Sequence, residues 1–248
     1  GFNVIGTSKA GIYYTGSDGI IAGNKLGSNE YGIFLEKAEN ITVENNNAAQ
    51  NGCGIYLSGS SRNILENNEV NGNSLGIYLD NSTDNQLSFN VADSNNKYAA
   101  YLKNSYNNWL ESNNLSNIEV VHGRNGICLE NSGNNKLTGN NVSNSWEGVY
   151  LKNSSGNELN KNRISANYFS ISIENSNNNK LLNNIIESNI YKFSMTLGKS
   201  HNNTLQGNSA GFMTEIKVFY TYDSTNNALE GNQYTENAQH SGGVFRVK

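Results

Sequence analysis

Five side chains around one irregular segment could do acid–base chemistry: Asp80, Lys103, His122, Arg124 and Glu130. His122 and Arg124 belong to the stretch NIEVVHGR, which lengthens one unit of an otherwise regular repeat. Insertions into repeat loops tend to collect on the functional face. A histidine, two cations and two carboxylates are the mixture needed for proton transfer on polysaccharides and for binding uronate groups. We therefore expect a catalytic site here, and the alternative is a solvated, decorated loop.

Three of these residues also have a structural interpretation, because the sign of the charge alternates from one repeat to the next over five equivalent positions: Asp80, Lys103, Glu130, Lys152 and Glu174. Equivalent residues on neighbouring strands lie about 5 Å apart, where like charges repel and opposite charges attract. The same alternation is therefore typical of an ion ladder that joins adjacent repeats.

Aromatic residues recur at another set of equivalent positions in the first five repeats, and we expect them to bind substrate: Tyr13, Phe34, Tyr56, Tyr78 and Tyr101. An aromatic face on a polar surface suits a sugar ring, whose C–H groups meet the π system. Aromatic neighbours on adjacent strands also stabilise each other, and strands favour tyrosine in any case. The pattern alone leaves both interpretations open.

Metal and cofactor sites find little support in the sequence. His122, His201 and His240 fall in different repeats, and neither C-x-x-C nor H-x-x-x-H spacing occurs. Metal centres need several such ligands at suitable spacing. We expect no metal and no cofactor.

The elements that must position these residues follow from a repeat of roughly 22 residues. In every unit an apolar residue is followed three positions later by asparagine, as in Leu65 with Asn68 and Leu137 with Asn140. Short alternating runs such as GIYL predict strands, while Asn, Gly and Ser predict turns. The chain is therefore predicted to be an all-β parallel solenoid of about ten coils, with the recurrent asparagines forming an inward ladder of amide hydrogen bonds.

The same alternation predicts which residues face the core. The second and fourth residues of each opening strand should point inward and the third outward. In the last complete unit, which begins at Phe219, this spacing places Tyr220 and Tyr222 inward and Thr221 outward.

Composition narrows the partners. The 248 residues carry a net charge of −4, which argues against a nucleic-acid partner, and no stretch is long and apolar enough for a membrane span.

Unbroken periodicity predicts one elongated domain over residues 1–248, and we expect this domain to be excised from a larger protein. Four aromatic residues are candidate contacts with flanking domains or a second copy: Trp146, Phe169, Phe193 and Phe212. Several N-x-[ST] sequons favour an extracellular or cell-surface setting. Cys53 and Cys128 fall about three coils apart, too far for a disulfide, which predicts two free thiols.

Two stretches carry a family resemblance: GIYLSGSSRNILENNEVNGN and GIYLDNSTDNQLSFN. They resemble the right-handed parallel β-helix repeats of the NosD-like group, also called CASH domains, of carbohydrate-binding proteins and sugar hydrolases. The proline-free, Asn- and Ser-rich composition is most similar to archaeal surface proteins and to the disaggregatase that cleaves their coat. The resemblance covers essentially the whole chain and implies the fold more strongly than an activity, because the matching residues are core and ladder positions.

Three functions remain open from sequence. The first is an extracellular domain that binds an extended polysaccharide, with or without uronate units, along one solenoid face and cleaves it as a glycoside hydrolase or lyase. The second is a non-catalytic structural or binding module of the cell envelope. The third is a NosD-like periplasmic maturation factor for copper enzymes, although the sequence offers no copper-ligand cluster. Converging carboxylates around Asp80 and Glu130 would favour the enzyme, and a flat face with paired charges would favour the second function.

Overall fold

A computed structural model describes residues 1–6, 9–117, 120–187, 193–211 and 217–234. This part of the chain consists of short strands and turns, in the order β1 Asn3–Ile5, β2 Ala10–Tyr14, β3 Ser17–Ala22, β4 Lys25–Gly27, β5 Tyr31–Glu36, β6 Glu39–Glu44, β7 Cys53–Ser58, β8 Ile64–Glu66, β9 Leu75–Asp80, β10 Gln86–Ser88, β11 Tyr98–Lys103, β12 Trp109–Glu111, β13 Asn114–Ser116, β14 Asn125–Glu130, β15 Lys136–Thr138, β16 Asn141–Ser143, β17 Glu147–Lys152, β18 Glu158–Asn160, β19 Arg163–Ser165, β20 Phe169–Glu174, β21 Lys180–Leu182, β22 Ile185–Glu187, β23 Phe193–Gly198, β24 Thr204–Gln206, β25 Ser209–Gly211, β26 Lys217–Tyr222, β27 Ala228–Glu230 and β28 Gln233–Tyr234. Within these ranges no helix has the length and apolar character to cross a membrane.

The strands form a right-handed parallel β-helix, as the repeat predicts. The front sheet contains ten strands in the order β2-β5-β7-β9-β11-β14-β17-β20-β23-β26, and the back sheet contains ten in the order β3-β6-β8-β10-β12-β15-β18-β21-β24-β27. A third sheet of six strands runs from β13 to β28. Each front strand pairs with the front strand of the next coil, so equivalent residues form columns. Successive residues in a column are about 4.8 Å apart.

The core is a narrow column of aliphatic side chains between the sheets. On the front strands the third and fifth residues are buried, as in Ile55 and Leu57 of β7, and the back sheet contributes Leu65 and its equivalents. Burial of one aliphatic side chain per strand face in every coil stabilises strands that are too short to persist alone. The predicted inward columns are therefore confirmed over the first nine coils.

Buried polar ladders close the corners between sheets. Nδ2 of Asn113 donates to Oδ1 of Asn140 in the next coil at 3.0 Å and to the carbonyl oxygen of Leu87 at 2.9 Å. This ladder runs from Asn24 to Asn232 and confirms the predicted role of the recurrent asparagine. Three further ladders were not anticipated, and the first of them links Asn51, Asn73 and Asn95. Another asparagine ladder includes Asn63, Asn85 and Asn108, and a serine ladder includes Ser60, Ser82 and Ser105.

The predicted register of the last coil is wrong by one residue. Tyr220 pairs with Thr196 and Tyr222 pairs with Gly198, so both tyrosines lie in outward columns and are 41% and 40% exposed. Thr221 pairs with the buried Leu197 instead of facing outward. Tyrosine suits either face of a strand, so alternation alone did not distinguish the two registers.

The two cysteines are free and buried, as predicted from their separation. They occupy different coils of the front sheet, where Cys53 pairs with Leu75 and Cys128 pairs with Tyr101.

Candidate functional site

Three outward columns of side chains cover the front sheet, and they contain most of the candidate residues. The first column begins each strand and includes Asn125, Glu147 and Phe169. The second column holds the predicted aromatic residues and continues through Cys128, Tyr150, Ser172, Thr196 and Tyr220. The third column ends each strand and runs through Glu36, Ser58, Asp80, Lys103, Glu130, Lys152, Glu174, Gly198 and Tyr222.

The predicted aromatic residues form a continuous stack. Ring centroids are 5.2 Å apart between Tyr13 and Phe34, 4.8 Å between Phe34 and Tyr56, and 4.9 Å at each of the next two steps to Tyr78 and Tyr101. Neighbouring rings therefore cover one another's faces, and the stack turns its edges and hydroxyl groups to solvent. Sugar stacking on π faces is geometrically confined to the ends of the stack.

Tyrosine hydroxyls bind carboxylates of the third column in the following coil. Tyr101 donates to Oε2 of Glu130 at 2.5 Å, Tyr150 donates to Oε2 of Glu174 at 2.6 Å, and Tyr13 donates to Glu36. Burial raises the pKa of Tyr101 and Tyr150, and the hydrogen bond to a carboxylate raises each further. These tyrosines are held as neutral donors.

Three of the predicted catalytic residues are neighbours, since Asp80 pairs with Lys103 and Lys103 pairs with Glu130. Lys103 separates the two carboxylates, which lie two coil rises apart, or about 10 Å. Glu130 also receives Nζ of Lys152 at 3.0 Å from Oε1. Hydrogen bonds from Tyr101 and Lys152 lower the pKa of Glu130. In this region Glu130 is paired with Lys152 and bound by Tyr101, and the charge of Lys103 also favours its ionised form.

The other two predicted catalytic residues lie elsewhere. His122 and Arg124 precede strand β14, whereas Glu130 ends it, and five residue steps correspond to about 17 Å. The His122 ring contacts Trp146 with centroids 4.7 Å apart, and the carbonyl oxygen of Arg124 accepts the backbone N–H of Trp146 at 2.6 Å. The structure does not bring His122 or Arg124 to Glu130.

A cleft opens further along the same face. Its volume is about 420 Å³, within the range of small-ligand sites. Its described lining comprises Glu147, Tyr150, Phe169, Ser172, Ile173, Glu174, Thr196, Gly198, Tyr220 and Tyr222. The cleft exists because the outward columns change from aromatic to small side chains at Ser172, Thr196 and Gly198, while larger rings remain on either side. A Cβ on Gly198 would lie 2.2 Å from the Tyr222 ring, so only glycine allows that ring to cross the floor.

The two carboxylates of the cleft have different surroundings. Burial raises the pKa of Glu147, and the negative charge of Glu174 raises it further, against the opposite effect of hydrogen bonds from Ser172 and Asn125. Nδ2 of Asn125 lies 2.9 Å from Oε2 of Glu147. Glu174 accepts the Tyr150 hydroxyl instead. Glu147 therefore has the raised pKa that suits a general acid.

Sequence reasoning did not select Glu147, Glu174 or Tyr222 as site residues. The available signal was the fall in side-chain size along the second and third columns between Tyr150 and Tyr222. Of the proposed contact residues, Trp146 stacks on Tyr168 with centroids 4.0 Å apart, and Phe169 lies edge-on to Trp146 and lines the cleft. The Phe193 side chain and Phe212 lie outside the described residues.

The described residues do not fit a copper centre. Across these ranges, no three His, Cys, Asp or Glu side chains are placed to hold a metal ion. Burial raises the pKa of both Cys53 and Cys128, which disfavours the thiolate form that binds metals.

Solved structures with similar folds include enzymes and a tailspike. An alginate lyase from Paenibacillus sp. matches with a TM-score of 0.74 and 12% identity, over 90% of this chain and 96% of that chain. A double mutant of the periplasmic alginate epimerase AlgG matches with a TM-score of 0.69 and 14% identity, over 93% of this chain and 74% of that chain. The Dettilon tailspike protein matches with a TM-score of 0.61 and 14% identity, over 86% and 55%. At these identities the likeness concerns the fold alone.

No curated protein matches the sequence. A family model described as periplasmic copper-binding protein (NosD) matches residues 2–120 and again residues 111–246. The two matches together span nearly the whole sequence, and they confirm the resemblance that the repeats carry. The chain belongs to the NosD family of parallel β-helix proteins.

Proposed function

We propose that this chain binds an extended polysaccharide on its front sheet and hydrolyses a glycosidic bond in the cleft. The observation that carries the proposal is the placement of Glu147 and Glu174 in one aromatic-walled cleft, with an environment that raises the pKa of Glu147. Glycoside hydrolysis requires two carboxyl groups, one of which acts as a general acid with a raised pKa. This arrangement occurs at the cleft rather than at the predicted pair Asp80 and Glu130.

The roles follow from these surroundings. Glu147, in its protonated form, donates its proton to the glycosidic oxygen as the bond between that oxygen and the anomeric carbon breaks. Glu174 accepts a proton from the water that attacks the anomeric carbon, so the bond is replaced by two hydroxyl groups. Tyr150 orients Glu174 through its hydrogen bond, and the rings of Phe169 and Tyr222 provide apolar surface for the sugar.

The setting that suits this function is the cell envelope or its exterior, where extended polysaccharides occur. The family is described as periplasmic, and similar folds include a periplasmic alginate epimerase and a tailspike. An extracellular or cell-surface location and contacts with flanking domains or a second copy through Trp146 and Phe169 are part of this proposal.

The test incubates the purified chain with a panel of neutral, amino-sugar and uronate polysaccharides, and follows reducing ends and the absorbance of unsaturated products. We expect reducing ends without unsaturated products from one polymer, and a loss of about 10²-fold or more in rate for both E147Q and E174Q. The matched control E111Q removes a carboxylate from the back sheet and should keep full activity. Unsaturated products, or full activity in E147Q, would contradict the proposed hydrolysis.

A second candidate function is a non-catalytic envelope module, and a different region favours it. From Tyr13 to Glu130 the face is a flat aromatic stack with carboxylates bonded to tyrosines or lysine. The sequence also predicts that Lys103, His122 and Arg124 contact a uronate; Lys103 lies on this face, whereas His122 and Arg124 lie beside Trp146. Loss of polysaccharide binding in a His122→Ala, Glu130→Ala double mutant, with E147Q and E174Q unaffected, would support this candidate. No role in copper-enzyme maturation is proposed.

A further inference from the structure

We propose that the cleft takes a cationic amino sugar, so that its polymer carries free ammonium groups and not uronates. The inference rests on the proposed function, because it names the sugar that the same cleft binds.

The charge of the lining is the first step. Glu147 and Glu174 are the two charged residues among the ten described lining residues, and both are carboxylates. The remaining eight are tyrosine, phenylalanine, isoleucine, serine, threonine and glycine. Lysine, arginine and histidine are absent from this described lining. A site built for a uronate would place a cation where the carboxylate of the sugar binds.

The described cation nearest to Glu174 in the third column, Lys152, is paired with another carboxylate. Lys152 pairs with Glu174 across strands β17 and β20, but its Nζ atom lies 3.0 Å from Oε1 of Glu130 in the preceding coil. Lys217 pairs with Phe193 at the far end of the first column, and its side chain lies outside the described residues. The Lys152 charge is thus engaged by a carboxylate that does not line the cleft.

The state of Glu147 shows how the cleft treats negative charge. Its pKa is raised by burial and, in addition, by Glu174. A site that already opposes ionisation of its second carboxyl would oppose a third carboxylate from a uronate still more. A positive charge in the same place would be attracted by an ionised Glu174, and an ammonium group would donate a hydrogen bond to Glu147 in either protonation state without added repulsion.

The remaining lining fits an ammonium group on a sugar. A primary ammonium has three N–H donors, and carboxylates offer acceptors that form charge-assisted hydrogen bonds with it. Tyr222 and Phe169 line the cleft, where the π face of such a ring provides cation–π attraction and an apolar surface for the C–H groups of the sugar. Gly198 is required for this arrangement, because any side chain there would displace the Tyr222 ring that crosses the floor of the cleft.

The test measures binding by calorimetry to three hexasaccharides in mildly acidic buffer, where amines are protonated: a glucosamine oligomer, its fully N-acetylated form and a mannuronate oligomer. The same measurement is made with spermidine, a cation without a sugar. We expect the glucosamine oligomer to bind about tenfold or more tightly than each of the others. E174Q should reduce that preference to about twofold while affinity for the N-acetylated oligomer is kept, and E111Q should leave the preference intact.

The outcomes separate this inference from the proposed function. Tighter binding of the mannuronate or the N-acetylated oligomer would overturn the amino-sugar inference and leave polysaccharide binding in place. Equal binding of spermidine would overturn it as well, because charge alone would then suffice. If none of the three oligosaccharides binds, the amino-sugar inference fails, and the reducing-end assay on the wider panel decides the proposed function separately.

Discussion

At the scale of the residue, two glutamates on the same face have pKa shifts of opposite direction. Glu130 accepts hydrogen bonds from Tyr101 and Lys152, which favour its ionised form. Glu147 is partly buried and faces Glu174, which disfavours ionisation. The two groups therefore couple folding to pH with opposite sign.

Replacing Glu147 by glutamine should stabilise the protein near neutral pH. The raised pKa means that the folded state binds the proton more tightly than the unfolded state. Its favourable contribution is complete below the unfolded pKa of about 4.3 and is lost as the pH rises through the folded pKa. Thermal unfolding of E147Q should therefore give a higher Tm than the parent at about pH 7, with the difference vanishing at about pH 3.

The matched control is E130Q, for which the sign is reversed. The lowered pKa of Glu130 contributes stability above the unfolded pKa, and this is lost as the pH falls through the folded pKa. E130Q should lower the Tm near neutral pH, and the difference should vanish in acid. An E147Q variant that is destabilised at neutral pH by as much as E130Q would contradict the assigned environment of Glu147.

The cleft residues could not be selected from sequence for a physical reason. Columns follow from periodicity, so the alignment of Asp80 with Lys103 and of the aromatic residues was predictable. The cleft depends instead on small residues such as Ser172 and Gly198, and on the direction in which Tyr222 leans. The sequence predicted that His122 lies close to Glu130. His122 precedes strand β14 and Glu130 ends it, so the length of the strand separates the two residues.

At the scale of the element, the corners of the β-helix require residues in the left-handed conformation. At one corner the equivalent residues are asparagine, serine, lysine or glycine, for example Asn67 at φ 53° and Ser112 at φ 53°. Phe89 occupies this corner at φ 55° and is 53% exposed. A bulky side chain pays a steric cost of about 1–2 kcal/mol there, which asparagine partly avoids.

Phe89→Asn should therefore stabilise the fold. The expected gain is about 1 kcal/mol, which corresponds to a rise of about 2–4 °C in Tm for a chain of this size. Phe89→Ala is the matched control, because it removes the ring but keeps a Cβ in the same strained conformation. Differential scanning calorimetry on the three proteins tests the argument. An equal rise for Ala and Asn would attribute the gain to loss of the exposed ring instead.

The sequence predicted one of the hydrogen-bond ladders at the corners of the β-helix and missed another. The Asn24 to Asn232 ladder is visible because its spacing from the preceding apolar residue never changes. The Ser60 ladder was not recognised, although it carries the register: Ser200 bonds to Ser224, and this step also sets Leu197 opposite Thr221. Using that ladder would have given the correct register for Tyr220 and Tyr222.

At the scale of the whole molecule, each coil contacts only its neighbours, so stability and function are divided along the axis. The aromatic stack occupies the coils that contain Tyr13 to Tyr101, and the cleft occupies those that contain Glu147 to Tyr222. The two candidate surfaces can therefore be separated by removing single coils in register.

Two deletions of equal length make this test. Residues 54–75 form one coil that carries Tyr56, and residues 148–169 form another that carries Tyr150 and Phe169. Each deletion joins the chain at the 22-residue offset that relates equivalent positions, such as Asn63 and Asn85.

Both variants should keep the β-rich circular dichroism spectrum and lose a similar, modest amount of thermal stability, because the inter-coil contacts removed are equivalent. Polysaccharide binding should stay within about twofold for the first deletion and fall about tenfold or more for the second, since only the second removes a wall of the cleft. The reverse pattern would move the binding site to the aromatic stack and leave the cleft without a role.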